Sequence, residues 1–381
     1  MKRYVRIGLR VLGVALVIFV LSRIQLRDQL EWPDGRVEKG TVVPLADGSV
    51  GFLPEGQTDP LQIATHAPNG PRTHKGVITI VREADVSLLL IGFVVFGPIT
   101  LISITRWWML LRAVGLPIQF MEALRLSYIG FFFNAAVPGL TGGDVVKGVY
   151  IARGSENPYK AFLSVFVDRA IGLFGLALLA GVVVTMHLGQ EEFRQVAALV
   201  YGALAVASVG GCVVLSRRLR RLLRLEQILT KLPFGGFLSR IDQAIRIYRD
   251  APRTVLVAVF MSITNHSGIV LMVILFGRAL GIENPASHFF AIAPLCFIVA
   301  SIPLVPGGWG MREGAFAYFF ASVGISPESS VPTSVLLGLA QLVWFMIGGP
   351  VFIARPDRVS KREIEDFNTG IQSAQAGSEP T

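Results

Sequence analysis

Residues 86–105 read VSLLLIGFVVFGPITLISIT, twenty residues without a charged side chain. A helix needs about 20 mostly apolar residues to cross a bilayer, so this stretch predicts a membrane-spanning helix. The composition extends the inference to the whole chain. Of its 381 residues, 52% are hydrophobic and only 16% are charged, whereas soluble domains average about 25% charged residues. We therefore expect an all-α polytopic membrane protein.

Other apolar runs follow along the chain. About six runs are predicted to be full spans: 7–21, 86–105, 161–188, 196–215, 254–277 and 334–354. The first run follows several basic residues, as a signal peptide does, but no small-residue cleavage site comes after it. We therefore predict an uncleaved N-terminal transmembrane anchor over residues 1–24. The polar residues 355–381 predict a disordered cytoplasmic tail.

Basic residues decide the predicted orientation, because cytoplasmic loops carry an excess of Lys and Arg. The basic segment 216–253 is placed in the cytoplasm, as are both termini, and the more acidic residues 25–85 are placed outside. The predicted location is a bacterial cytoplasmic (inner) membrane. The net charge of +9 then reflects topology and contact with anionic lipid, and no nucleic-acid partner is expected.

Residues 25–85 differ in character from the rest, and we predict a small β-rich extracytoplasmic insert there. Short alternating stretches at Val37–Val43, Ser49–Leu53 and Gly76–Val81 suggest strands. Asp34-Gly35 and Asp47-Gly48 are dipeptides typical of tight hairpin turns.

Two apolar segments cannot be single full spans, because the two ends of each segment are predicted to lie on the same side of the membrane. Segment 119–137 lies between cytoplasmic charges, and segment 287–323 must begin and end outside, so each is predicted to be a re-entrant helical hairpin. Their turns share the pattern V-P-G-x-x-G, at residues 137–142 and 305–310. Opposite orientation of the two units predicts an inverted-topology repeat, with the broken helices marking a substrate site. The alternative is that both motifs are ordinary loops that resemble each other by chance.

Candidate substrate-binding residues are the two broken turns and the charges near membrane depth, because such charges are costly and usually functional. They are Arg125, Pro138, Gly139, Gly142, Gly143, Asp144, Lys147, Asp168, Arg169, Pro306, Gly307, Gly310, Arg312 and Glu313.

Structural explanations compete with these assignments. Asp168-Arg169 also suits an interfacial anchor, and Arg312-Glu313 a mutual ion pair that only holds its hairpin. The Arg106-Trp107-Trp108 cluster is interpreted as an interfacial belt. Asn265-His266 suits a hydrogen-bonded helix contact as well as a ligand role.

The sequence carries no recognisable catalytic or metal-binding motif, and no catalytic residue, metal or cofactor is predicted. Its pattern resembles the lysylphosphatidylglycerol synthase transmembrane family, the flippase-like domain of the multiple peptide resistance factor. The resemblance covers roughly 86–354. Its residues are Arg106, Leu110-Leu111, Ala135, Pro138-Gly139, Gly142-Gly143-Asp144, Lys147, Asp168-Arg169, Gly172-Leu173, Pro303, Pro306 to Gly310 and Glu313.

The resemblance implies a stand-alone lipid translocase acting on an anionic or aminoacylated phospholipid, or on a polyprenyl-type lipid. The segment after residue 354 is too short for the family's synthase domain, so lysyl transfer is not expected. The insert is a second departure from the family pattern. An alternative function is a non-catalytic accessory subunit of a glycosyltransferase or another lipid-modifying enzyme. A minor alternative is a membrane-embedded transferase with Asp144 or Asp168 as base.

Overall fold

The computed structural model describes residues 27–34, 36–45, 50–57, 59–62, 71–136, 142–153, 158–222, 247–301 and 309–354. The predicted anchor and the predicted tail lie outside these ranges. The chain divides into two compact units. Unit 1 comprises Met1–Val94 with Leu271–Leu339, and unit 2 comprises Val95–Val270 with Ala340–Thr381.

Unit 1 contains a five-stranded antiparallel sheet. Its strands, β1 to β5, are Asp28–Glu31, Val37–Pro44, Val50–Pro54, Leu61–Gln62 and Arg72–His74, in the spatial order β4-β3-β2-β1-β5. Leu30 and Phe52 are fully buried and pack with Trp32 and Val42 to form the core of the sheet. Along β1, the buried residues Asp28 and Leu30 alternate with the more exposed Gln29 and Glu31, as a half-buried strand requires.

The strand predictions at Val37–Val43 and Ser49–Leu53 are confirmed as β2 and β3. The strand prediction at Gly76–Val81 is wrong, because this stretch begins helix α1, Val77–Arg82. Its β-branched residues favour a strand. The helix forms because a buried carboxylate, that of Asp28, accepts a hydrogen bond from the Gly76 amide at its N-terminus.

Asp28 joins three parts of unit 1. It is 1% exposed. Oδ1 accepts from the Gly76 amide at 2.6 Å, and Oδ2 accepts from the Val42 amide at 2.6 Å and from the Thr79 hydroxyl at 2.9 Å. A buried carboxylate is tolerated only when it is hydrogen-bonded in this way. Asp28 therefore fixes α1 against the sheet.

The helices after α1 belong mainly to the membrane region. In chain order they are α2 Val86–Ala113, α3 Phe120–Ala136, α4 Gly142–Ala152, α5 Pro158–Met186, α6 Glu191–Leu215, α7 Arg217–Leu222, α8 Pro252–Ala279, α9 Ala286–Ala300, α10 Met311–Ala321, α11 Pro327–Met346 and α12 Gly348–Ile353. The described chain is thus mostly helical with one small antiparallel sheet.

Within the described ranges, four segments are long and apolar enough to cross a membrane: Val86–Ala113, Lys160–Met186, Pro252–Ala279 and Pro327–Ile353. They correspond to four of the predicted spans. The predicted span 7–21 lies outside the described residues. The predicted span 196–215 falls in α6, whose apolar part, Ala197–Gly211, is shorter. The total number of spans therefore stays a prediction.

The predicted re-entrant segment 119–137 corresponds to α3, and α4 follows it, whereas segment 287–323 contains both α9 and α10. Helices α3 and α4 have 17 and 11 residues, and α9 and α10 have 15 and 11. At about 1.5 Å per residue, none reaches across a hydrocarbon core of about 30 Å. Residues 137–141 and 302–308 lie outside the described ranges, so the hairpin geometry also stays a prediction.

We predict that Asp28→Ala loosens the insert locally, because three donors lose their acceptor. At about 1–3 kcal/mol for such a loss, amide hydrogen exchange in β2 and α1 should accelerate by roughly 5- to 150-fold. Asp34→Ala is the matched control. Hydrogen bonds from Arg36 lower the pKa of Asp34, but this carboxyl is exposed, so little change is expected. Equal exchange in both variants would contradict the prediction.

Candidate functional site

Unit 2 holds a buried ion pair between α2 and α5. Arg106 donates from Nε to Asp168 Oδ1 at 2.7 Å and from Nη2 to Oδ2 at 3.2 Å. The two side chains are 6% and 15% exposed. This bidentate geometry offsets part of the cost of removing both charges from water.

A second group of charges surrounds Asp144 in the same unit. Arg169 donates from Nε to Asp144 Oδ2 at 2.8 Å, and its Nη2 lies 2.6 Å from the same oxygen. Lys147 Nζ lies 4.0 Å from Asp144 Oδ1. Arg169 is 59% exposed, whereas the other two side chains are 9% exposed. Arg169 therefore forms the open side of this group.

Aromatic rings hold the buried cation Lys147. Its Nζ lies 4.8 Å from the ring centre of Trp107 and 5.0 Å from that of Phe131. Ring faces attract a desolvated cation. Trp107 is itself fixed by a hydrogen bond from Nε1 to Ser164 Oγ at 3.3 Å.

We call these five charged residues the charge network. It has three cations and two carboxylates, and so one excess positive charge: Arg106, Lys147 and Arg169 against Asp144 and Asp168. Adjacent positions 168 and 169 on α5 bring the two groups together. Within the described part of unit 2, the network offers an anion one uncompensated cation.

Glycines explain how α4 carries Asp144 into this position. A Cβ on Gly143 would overlap the backbone of Gly130 on α3. The Gly143 amide donates to Asn134 Oδ1 at 2.9 Å. The two helices therefore approach backbone to backbone, and Asp144 lies in the first turn of α4, where the helix dipole favours a negative charge.

The position of Arg106 corrects the interfacial-belt interpretation. Arg106 and Trp107 are 5% and 2% exposed, so both are buried within the protein. Tyr248 fixes α2 one turn later by donating its hydroxyl to the Leu110 carbonyl at 3.0 Å. Burial raises the pKa of Tyr248, which keeps this donor protonated. The sequence shows an opposite charge, Asp168, in another apolar run, but nothing in the sequence pairs the two residues.

Unit 1 contains a separate buried pair in α10. Arg312 Nη2 donates to Glu313 Oε1 at 2.7 Å, and Arg312 Nε and Glu313 Oε1 both bond Ser334 Oγ at 2.9 Å. Glu313 Oε2 accepts from the Gly310 amide at 2.6 Å. Gly310 has φ 82°, which favours glycine. This cluster is balanced in charge and caps its helix, as expected of a pair that holds its hairpin.

Of the other predicted residues, two lie in the described part of the chain and four lie outside it. Arg125 is exposed on α3, and no described hydrogen bond or ion pair joins it to the charge network. Gly142 begins α4 next to Gly143. Pro138, Gly139, Pro306 and Gly307 lie outside the described residues.

Comparisons with known proteins place these residues in a wider context. Residues 74–349 match the lysylphosphatidylglycerol synthase TM region. The chain is similar to a UPF0104 membrane protein of Methanothermobacter thermautotrophicus, with 20% identity over 278 residues, covering 67% of this chain and 79% of the relative. A UPF0104 membrane protein of Pyrococcus horikoshii is 23% identical over 284 residues, covering 68% and 84%. The matched region contains both charged clusters and excludes most of the sheet.

We predict that Gly143→Ala destabilises the protein, because its Cβ would overlap the Gly130 backbone, which has little room to move. Overpacking of this kind costs up to about 3 kcal/mol. Gly202→Ala on α6 is the matched control, because nothing lies within 4 Å of its added Cβ. Thermal unfolding in detergent should show a lower Tm for Gly143→Ala only. Equal Tm values would contradict the close approach of α3 and α4.

Proposed function

Because this chain belongs to the family of the lysylphosphatidylglycerol synthase TM region, we propose that it is a flippase-like protein that moves a charged-headgroup lipid between leaflets. The candidate lipids are an anionic or aminoacylated phospholipid, or a polyprenyl-type lipid. The observation that carries the proposal is the charge network of unit 2. We further propose a bacterial inner-membrane location with both termini in the cytoplasm.

The charge network has the chemistry that a lipid headgroup path requires. Charged side chains within membrane segments are expensive and typically mark a substrate or ion pathway. Structural ion pairs need only equal charges, as in the Arg312–Glu313 pair. The charge network instead retains one excess cation and keeps Arg169 open, so it favours a headgroup that brings a negative charge.

The order of helix lengths supports the proposed inverted repeat. Helices α2, α3, α4 and α5 have 28, 17, 11 and 29 residues. Helices α8, α9 and α10 have 28, 15 and 11, and the segment Pro327–Ile353 has 27. Each 11-residue helix has an acidic residue in its first turn, Asp144 or Glu313. A repeat with broken helices is an arrangement that transporters use to build central sites.

The second candidate function is an accessory subunit of a lipid-modifying enzyme. The sheet of unit 1 supports it, because a folded extramembrane element is a natural docking surface and most of it lies outside the family match. A membrane-embedded transferase is the third candidate. The ion pairs of Asp144 and Asp168 argue against a free general base at either position.

We predict that purified protein in proteoliposomes moves a fluorescent anionic phospholipid between leaflets, and that Lys147→Met slows this at least about 10-fold. The substitution removes the excess cation, and attraction of one buried charge pair is worth more than the ~1.4 kcal/mol that tenfold requires. Asp144 keeps Arg169 as its partner, so the fold should persist. Leaflet-specific quenching of the fluorophore measures the rate.

Arg253→Met is the charge-matched control, because it removes one exposed cation at the start of α8. It should translocate lipid at the wild-type rate. Equal slowing in both variants would mean that only overall charge matters. Failure of wild-type protein to translocate any candidate lipid, together with stoichiometric co-purification of a lipid-modifying enzyme, would favour the accessory function instead.

A further inference from the structure

One backbone carbonyl in unit 2 joins α5 to α8. The Gly172 carbonyl accepts from Ser262 Oγ at 3.2 Å and contacts His266 Nε2 at 3.0 Å. Ser262 and His266 are one turn apart on α8. A carbonyl can only accept, so His266 Nε2 must carry the proton, and Nδ1 of the neutral ring is left as an acceptor.

Three buried polar atoms on α2 and α8 have no hydrogen-bond partner among the described residues. They are Arg106 Nη1, Asn265 Oδ1 and His266 Nδ1. Arg106 and Asn265 are 5% and 6% exposed. Leaving such atoms unsatisfied costs free energy, so native proteins rarely do it without a reason. We call Arg106, Gly172, Asn265 and His266 the α5–α8 niche.

Contacts bring Arg106 and His266 to Gly172, and helix periodicity predicts the side on which Asn265 lies. A Cβ on Gly172 would lie 3.7 Å from Arg106 Nη2 and 4.0 Å from Nη1, so the missing side chain leaves room beside the guanidinium. A Cβ on Gly268 would meet Ile99 of α2. Asn265 is three residues from Gly268 on the same face of α8, and so it also faces α2.

The unpartnered atoms define a ligand with two kinds of group. Arg106 Nη1 is a cationic donor and suits an oxyanion, such as the oxygen of a phosphate ester. Asn265 Oδ1 and His266 Nδ1 are acceptors and need N–H or O–H donors. A phosphodiester attached to a hydroxyl or primary ammonium group supplies both. A phosphodiester attached to a quaternary ammonium group supplies the oxyanion but no hydrogen-bond donor.

We propose that the α5–α8 niche binds the headgroup of a phospholipid that carries hydrogen-bond donors, and that it discriminates against headgroups without them. The inference rests on the proposed function and sharpens its substrate class. The three atoms are buried, so a headgroup reaches them only when the helices around them move apart.

The competing explanation is ordered water. A buried water typically makes about three hydrogen bonds, and one molecule could satisfy the same three atoms. Water would not distinguish one headgroup from another. Headgroup discrimination therefore separates the two explanations.

The test measures binding to the purified full chain in detergent by thermal shift. The probes are dihexanoyl forms of phosphatidylglycerol, phosphatidylethanolamine and phosphatidylcholine, with dihexanoylglycerol and inorganic phosphate as the partial ligands. We expect the first two to raise the Tm and the choline lipid to bind at least about 10-fold more weakly, because sites built for hydrogen bonds reject analogues that lack them. Each partial ligand alone should stabilise less.

Asn265→Leu tests the niche directly. It removes an acceptor at similar volume and should reduce the preference for phosphatidylglycerol over phosphatidylcholine. Thr264→Val is the matched control, because Thr264 is on the same helix and its hydroxyl bonds only its own helix, at Phe260 O. The control should keep the full preference. If Asn265→Leu does not fold, the lipid comparison on wild-type protein still decides the question.

Equal binding of phosphatidylcholine and phosphatidylglycerol, or no binding of any lipid, would overturn the inference. So would free phosphate that binds as tightly as the phospholipids. An unchanged lipid preference in Asn265→Leu would also overturn it. The proposed function can fail separately. Selective binding without translocation in proteoliposomes would support headgroup binding at the niche and contradict the proposed translocase function. Translocation without headgroup preference would support the translocase function and contradict headgroup discrimination by the niche.

Discussion

The ion pair between Arg106 and Asp168 is the constraint on which unit 2 depends. It joins two long apolar helices at a point where neither charge is open to water. Losing one partner of a buried pair costs about 3–5 kcal/mol, because the other charge is left without compensation. The ion pair therefore fixes the register of α2 against α5, whereas apolar contacts alone would let the two helices slide past each other. Asp168 also fixes where its neighbour Arg169 reaches, and through it the position of Asp144.

Close contact between helix backbones is the second requirement for helix packing. Within lipid the hydrophobic effect does not drive helices together, so close packing has to hold them. Glycines allow it. Gly143 lies against Gly130, and a Cβ on Gly348 of α12 would overlap the Tyr128 carbonyl of α3. Helix α3 is thus held from two sides although it is too short to span. The charges and the glycines act together, since Lys147 could not pack beside Gly130 if that residue had a side chain.

The sequence could predict features that depend on local pattern. Uninterrupted apolar runs predicted the four long segments, and turn dipeptides with alternation predicted β2 and β3. Gly76–Val81 failed because Asp28, 48 residues away, overrides its local preference for a strand. Among the site residues, Asp144, Lys147, Asp168 and Arg169 could be selected as charges in apolar runs, and the structure brings them together. Arg106 could not be assigned to Asp168, 62 residues away, and unpartnered atoms have no signature in sequence at all.

The attachment of the sheet has a mechanical consequence. Asp28 fixes the sheet to α1, three residues before α2 begins, and the Asp85 amide at that start donates to the Ala279 carbonyl at the end of α8. The insert is thus attached by hydrogen bonds as well as by the chain. A rotation at the ends of α2 and α8 would therefore also turn the sheet, and the strand farthest from these helix ends would move the most.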